Sequence, residues 1–274
     1  MSERCNARKS PFEKKKMPNI KNTIMVASGK GGVGKSTVAA GLALSLARDG
    51  YATGLLDADI LGPSVPTLFH LNNQRPLSIE KEGKTWIEPF DRYGIKVISI
   101  GFFIDPSQSL LWRGPMVSNA LNQLLNDTDW GELDYLVIDT PPGTGDVHLT
   151  LLQSYEISGA VVVTTPQAIA LDDVTKAIGM FNNKNVSVPV LGIVENMAWF
   201  TPLRHPDEKY FLFGRGGGEK LARQFQLPLI ARVPMNERIR ESCDEGALDA
   251  FFQDEQITRS LSDMLEVVLE HRDE

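Results

Sequence analysis

At 274 residues and a net charge of −7, the chain is long enough to bury a substantial core, as one large α/β domain or two small ones. Hydrophobic residues at 42% and charged residues at 23% are ordinary for a soluble globular protein, and no apolar run approaches the ~20 residues of a membrane span. The two cysteines, Cys5 and Cys243, lie too far apart to suggest a disulfide framework and fit a reducing compartment, so the cytoplasm is the expected location.

Residues 1–22 hold seven Lys or Arg against Glu3 and Glu13, which leaves −12 for the remainder. This basic, proline-containing stretch is expected to be a disordered tail, with an arm touching anionic partners as the other reading. It has neither the apolar core nor the small-residue cleavage site of a secretory signal. Residues 23–274 are expected to form a single domain, because β and α patterns alternate throughout.

Ile24-Met25-Val26-Ala27 has the character of a short buried strand, and Val38, Ala39, Leu42, Ala43 and Leu46 recur at helical spacing. Between them runs Gly29-Lys30-Gly31-Gly32-Val33-Gly34-Lys35-Ser36-Thr37. In that context G-x-x-x-x-G-K-[ST] builds a phosphate cradle. Glycines let main-chain N–H groups turn inward, and the helix start adds partial positive charge. Lys35 reaches the outer phosphates and Ser36 can hold Mg²⁺. A plain glycine turn would explain the glycines but not Lys35-Ser36.

Thr53-Gly54-Leu55-Leu56 reads as a strand running into Asp57-Ala58-Asp59 and a proline-broken loop. In parallel sheets ligands bind outside the carboxyl ends of strands, so Asp57 and Asp59 are expected to face the phosphates, with Asp59 orienting the attacking water. An Asx turn is the structural alternative for Asp59. Residues 70–94 lack periodicity and read as surface insertions or a short hairpin. Residues 95–100 alternate as a strand, and 115–125 carry helix-spaced Met116, Leu121 and Leu124.

Leu133-Asp134-Tyr135-Leu136-Val137-Ile138 delivers Asp139, followed by Thr140-Pro141-Pro142-Gly143-Thr144-Gly145-Asp146. This arrangement reads as a Walker B aspartate able to hold the Mg²⁺ shell, with a glycine-rich switch behind it. Further parallel strands are expected at 160–164, 190–194 and 229–233, with a helix around 172–181 between the first two. A last helix packs Ile257, Leu261, Met264 and Val268 against the sheet and leaves an acidic outer face. The expected fold is therefore a doubly wound, mostly parallel α/β sheet of the P-loop type. His70 and His148 have no spaced partners and read as satisfied loop or helix-face residues.

Lys30, directly after the first glycine, resembles the signature lysine of the deviant Walker A ATPases, the group of MinD, ParA, the nitrogenase iron protein and ArsA. There such a lysine reaches across a dimer interface, and its chemical use would be that of an arginine finger. Several runs together closely resemble the Mrp family of iron–sulfur cluster carrier ATPases, called ApbC in bacteria. They are residues 29–37 and 57–66, Trp112-Arg113-Gly114-Pro115-Met116, residues 139–146 and Glu195-Asn196-Met197. The resemblance covers residues 20 to 270. It implies a homodimer that binds ATP, hydrolyses it slowly and passes clusters to apoproteins, with Asn196 contacting adenine.

One departure bears on that inference. The family carries Cys-x-x-Cys shortly after Glu-Asn-Met, whereas this chain reads Ala198-Trp199-Phe200-Thr201-Pro202-Leu203-Arg204-His205-Pro206. Cluster iron is held chiefly by cysteine thiolates, so the ligands of a [4Fe-4S] cluster are left open. Cys243 with His205 from each of two subunits is the one substitute set, against a buried small apolar role for Cys243.

Two other functions compete. An ATP-switched scaffold or adaptor would grip apo-targets or assembly partners without ligating metal, and the missing cysteine pair favours it. A MinD- or ParA-like positioning ATPase would need a basic surface or an amphipathic membrane helix. From Asn236 onward there are twelve Asp or Glu against four Arg, which argues against membrane and DNA. A GTP preference is disfavoured because Asn183-Lys184-Asn185-Val186 only begins an N-K-x-D-type signature.

Overall fold

The computed structural model describes residues 14–104, 114–202, 204–205 and 207–271. Trp112, Arg113 and residues 1–13 of the expected tail lie outside the described residues.

The central strands are continuous apolar runs because both of their faces are covered. They are β1 (Ile20–Ser28), β2 (Thr53–Asp57), β7 (Leu133–Asp139) and β8 (Gly159–Thr164). With β6 (Ile95–Ser99), β9 (Val190–Phe200), β10 (Leu229–Met235) and β5 (Phe90–Arg92) they make an eight-stranded sheet ordered β10-β9-β8-β1-β7-β2-β6-β5. All neighbours pair in parallel except β5, which runs antiparallel to β6. The expected doubly wound, mostly parallel fold is what forms. β3 (Ser78–Lys81) and β4 (Lys84–Ile87) form a separate hairpin within the aperiodic 70–94 stretch. Glu82 and Gly83 turn it at φ 54° and 77°, the left-handed pair that suits a two-residue hairpin loop.

Two cores result, one on each face of the sheet. Helices α1 (Lys35–Arg48) and α8 (Glu255–Glu270) cover one face, where Leu42 and Leu46 join Leu261 and Met264. On the other face α3 (Gly114–Asn126), α4 (Asp146–Ser154), α5 (Ala168–Phe181) and α6 (Gly217–Phe225) contribute Leu121, Leu151, Ile178 and Leu221. The one-turn α2 (Val65–Leu68) and α7 (Glu237–Glu245) complete the α-helices among the described residues, with short 3-10 turns at Ile100–Phe102 and Leu248–Phe252. None is long and apolar enough to cross a membrane.

Residues 14–22, part of the expected tail, are tied into the fold. Lys15 N donates to Ser154 O at 2.9 Å and Glu156 N to Lys15 O at 3.0 Å, while Met17 is buried and Ile20 already begins β1. The lysines obscure this in the sequence, because Lys14 has a backbone partner, its ammonium donating to Val186 O at 2.7 Å.

Topology then assembles the site. The chain runs outward from β1 to β2 and β6, returns to insert β7 between β1 and β2, and crosses to β8 on the other side. The carboxyl ends of β1, β2 and β7 therefore lie together, with Val26 and Asp57 both in register with Asp139. This is where parallel sheets bind ligands.

Candidate nucleotide site

The phosphate loop leaves β1 at Ser28, whose hydroxyl donates to Lys30 O at 3.0 Å. Gly29 sits so close to α5 that a methyl group there would overlap the main chain of Asp173 and Val174. Gly34, at φ 78°, starts α1, and a methyl group on it would overlap the Asn196 amide. Both glycines are thus required by close approach as well as by the turn. Gly31, Gly32, Gly34, Lys35, Ser36 and Thr37 line a cleft of about 410 Å³, with Lys30 and Asp59 on its walls. Val33 is buried beneath it.

In this cleft Lys35, only 6% exposed, lies 2.5 Å from Asp139 Oδ1 and 3.8 Å from Asp59 Oδ2. It also donates to Ser36 Oγ at 3.4 Å. Burial raises the Asp139 pKa, and the Lys35 charge and hydrogen bond work against that rise. Its second oxygen, Oδ2, is buried with no hydrogen-bond partner. A carboxylate oxygen left over beside a serine hydroxyl is the donor chemistry that a hydrated Mg²⁺ uses, so the residues present fit that ion.

The two aspartates after β2 separate in role. Asp59 Oδ1 accepts from the N–H groups of Leu61 at 3.3 Å and Gly62 at 3.2 Å. It therefore makes the Asx turn while its other oxygen faces Lys35. Asp57 does not face the phosphates, contrary to expectation. It is fully buried, accepting from Asp59 N at 3.0 Å, Val65 N at 3.2 Å and Ser99 Oγ at 3.0 Å. It anchors the 57–65 loop.

Burial, and then repulsion from Asp139, push the Asp57 carboxyl up to about 8. A group raised above its unfolded value of about 3.9 stabilises the fold at low pH and loses that contribution as pH climbs through the folded pKa. The nucleotide-free melting temperature should therefore fall as pH rises toward 8 and level off above it, and Asp57→Asn should flatten that fall in a pH series of thermal melts. His148 contributes with the opposite sign below its ordinary value of about 6.5, so the fall is read between about 6.5 and 8.

Behind Gly34 lies a second, largely apolar cavity of about 530 Å³, bounded by Met197, Phe200, Pro234, Met235, Phe251 and Ile257. Asn196 reaches between the two spaces, its Nδ2 donating to Val33 O at 2.8 Å. Met197 holds a left-handed φ of 54°. Glu195, the first residue of that motif, is structural. It accepts from Gly218 N at 2.7 Å at the start of α6 and pairs with Arg232 at 3.4 Å. The sequence reading missed the 234–243 wall, whose only signal is Pro-Met-Asn after an apolar strand.

Cys243, the candidate for a cluster ligand, also lines this cavity. Its thiol hydrogen-bonds with the Thr37 side chain, and burial pushes it up to about 11. In the metal-free chain it is therefore a protonated thiol, beside the phosphate loop. His205 is 63% exposed in its side chain and lies 3.5 Å from Glu208. Among the described residues no three His, Cys, Asp or Glu side chains gather as a metal-holding group. Residues 198–200 finish β9, and Phe200 bridges to Tyr210, with Leu203 and Pro206 outside the described residues.

The Lys30 ammonium donates to Gln167 Oε1 at 3.3 Å just before α5. Sequence reasoning did not find Gln167. The switch loop rests against β1, Thr140 N donating to Val26 O at 3.2 Å and Gly143 N to Ser28 O at 2.8 Å. His148 is not the satisfied helix-face residue expected. It is completely buried and neither ring nitrogen has a hydrogen-bond partner.

Comparison with known proteins agrees with this geometry. An "Iron-sulfur cluster carrier protein" of Aquifex aeolicus is 49% identical over 237 residues, 86% of this chain, and the chain spans 63% of that relative's length. An Archaeoglobus fulgidus nucleotide-binding protein solved with ADP superposes with a TM-score of 0.73 at 40% identity, covering 89% of this chain and 93% of its own. The Pyrococcus furiosus cell division ATPase MinD shares the fold, with a TM-score of 0.63 at 20% identity over 91% of this chain and 98% of its own. Residues 19–269 match the ParA-group family described as the NUBPL iron-transfer P-loop NTPase, and with its phosphate loop, Asp139 and parallel sheet in place, the chain belongs to that family.

Proposed function

We propose that the protein is an ATP-binding, slowly ATP-hydrolysing homodimer acting in iron–sulfur cluster assembly or transfer to apoproteins. The observation that carries the nucleotide part is Lys35, buried in the cleft between two carboxylates, with an apolar cavity directly behind Gly34. A triphosphate entering the cleft competes with Asp139 for the Lys35 ammonium. The freed Asp139 carboxylate and the Ser36 hydroxyl are the residues that would hold Mg²⁺, which when bound neutralises charge on the outer phosphates. In this reading Asp59 Oδ2, facing Lys35, orients the attacking water, while its Oδ1 accepts from the loop N–H groups. Because the Asn196 amide nitrogen is committed to Val33 O, Oδ1 is left to accept from an exocyclic amine. That favours adenine over guanine, whose O6 would set acceptor against acceptor.

Pairing of two copies across the nucleotide would bring Lys30 to the partner's phosphates. The cleft rim supports such an interface, since Leu61 is 71% exposed there, an apolar side chain that a second copy could cover. Clusters are cargo in this reading. The carrier activity named for the longer relatives extends to this chain only through such a cycle, acting on apo iron–sulfur proteins or assembly partners.

The scaffold reading is favoured by one specific observation. Residues 198–206 hold no cysteine, and Cys243 turns into the nucleotide cavity. Anaerobic reconstitution with iron and sulfide, with and without Mg-ATP, tests both. ATP turnover exceeding GTP turnover at least ten-fold is expected. Stoichiometric iron with sulfur-to-iron charge-transfer bands would establish a carrier with unusual ligands, and turnover without bound iron would establish a scaffold. No turnover of either nucleotide would end both readings.

A further inference from the structure

A buried imidazole with neither nitrogen partnered is unusual in a native fold, where almost every buried polar atom finds a hydrogen bond. His148 is such a ring, fully enclosed and in the first turns of α4, three residues after Gly145. It lies near enough to Lys35 to feel its charge, and burial and that charge hold its pKa down at about 4. The ring is therefore neutral near pH 7, with one N–H donor and one lone pair, both unused here at a cost that an apolar residue of similar size would avoid.

The segment immediately before it has main-chain groups to offer and room to move. Gly143 holds φ 86°, and nothing lies within 4 Å of where a side chain on Gly145 would project. In this structure the loop is held off by the Gly143 N to Ser28 O bond of 2.8 Å. A γ-phosphate beside Lys35 competes for such donors, since N–H groups at the rim of a phosphate cleft serve anions well.

We infer that His148 is a positioning residue for the 140–145 switch, its ring gaining main-chain hydrogen bonds when that loop closes on Mg-ATP and losing them when the γ-phosphate leaves. This rests on the ATPase reading above. His148 does not touch the nucleotide. It makes the closed loop the better-satisfied arrangement and so couples occupancy of the cleft to α4.

The full chain and its His148→Leu and His148→Gln variants should be compared by hydrogen–deuterium exchange and steady-state hydrolysis. Mg-ADP and Mg with a non-hydrolysable ATP analogue are the two ligands. In the wild type the analogue, but not Mg-ADP, should protect peptides spanning 140–146. His148→Leu should lose that protection and at least ten-fold in kcat, with KM within three-fold and the nucleotide-free melting temperature equal or higher. His148→Gln, which retains a donor and an acceptor, should recover most of both. His148→Met carries the same expectation should the leucine variant not fold. Wild-type protection and kcat in the apolar variants would overturn the inference, leaving a ring satisfied by buried water. Absence of protection in the wild type itself would overturn the switch and the inference together.

Discussion

Lys35→Ala should lose nucleotide binding by two to three orders of magnitude, read by calorimetry or by competition with a fluorescent ATP analogue. Its ammonium is the buried cation of the cleft, at 6% exposure, and truncating one partner of a buried, hydrogen-bonded charge pair costs about 2–5 kcal/mol. Each 1.4 kcal/mol is ten-fold in affinity. The variant has a second effect that separates binding from folding. Without Lys35, Asp139 keeps its burial and loses its nearest countercharge, so its pKa rises further. The nucleotide-free variant should therefore be destabilised most at high pH and recover as pH falls and the carboxyl protonates. Binding stays lost throughout. Tight ATP binding by a folded Lys35→Ala protein would remove the lysine from its assigned role.

Asp59→Ala should retain ATP, lose about a hundred-fold or more in kcat and accumulate as the nucleotide-bound dimer, as expected of a residue that aligns the attacking water. The geometry asks for a companion variant, because Asp59 does two things. Its Oδ1 accepts from Leu61 and Gly62 N–H groups, and only Oδ2 faces the cleft, 3.8 Å from Lys35. Asp59→Asn preserves the turn with its remaining oxygen and removes the charge. If Asp59 acts on water, both variants should be slow. If it serves only the loop, Asp59→Asn should turn over normally, and single-turnover hydrolysis by gel filtration and phosphate release distinguishes the two.

Much of this architecture was legible because it is local. The apolar runs of β1, β7 and β8 and the spacing of Lys35 and Asp139 from their glycines are properties of short segments, so periodicity and turn chemistry reveal them. What escaped was set by distant pairing. Asp57 looks like a ligand-facing residue until β7 inserts between β1 and β2 and puts Asp139 in register beside it. The wall formed by Pro234, Met235 and Cys243 becomes a cavity only when β10 and α7 come to rest beside Gly34. His148 carries no neighbouring signal at all, since its burial depends on how α4 packs. The packing of residues 14–22 was missed because three lysines in a row read as solvated, although Met17 just after them is buried.

The pairing of Lys15 with residues 154–156 gives α4 a mechanical character. The helix is fastened to the amino-terminal segment at its carboxyl end, while its other end follows the switch. Nine residues long, or about 13 Å at 1.5 Å per residue, it is a lever with a fixed fulcrum. A movement at Gly145 would then be taken up as rotation about that clamp.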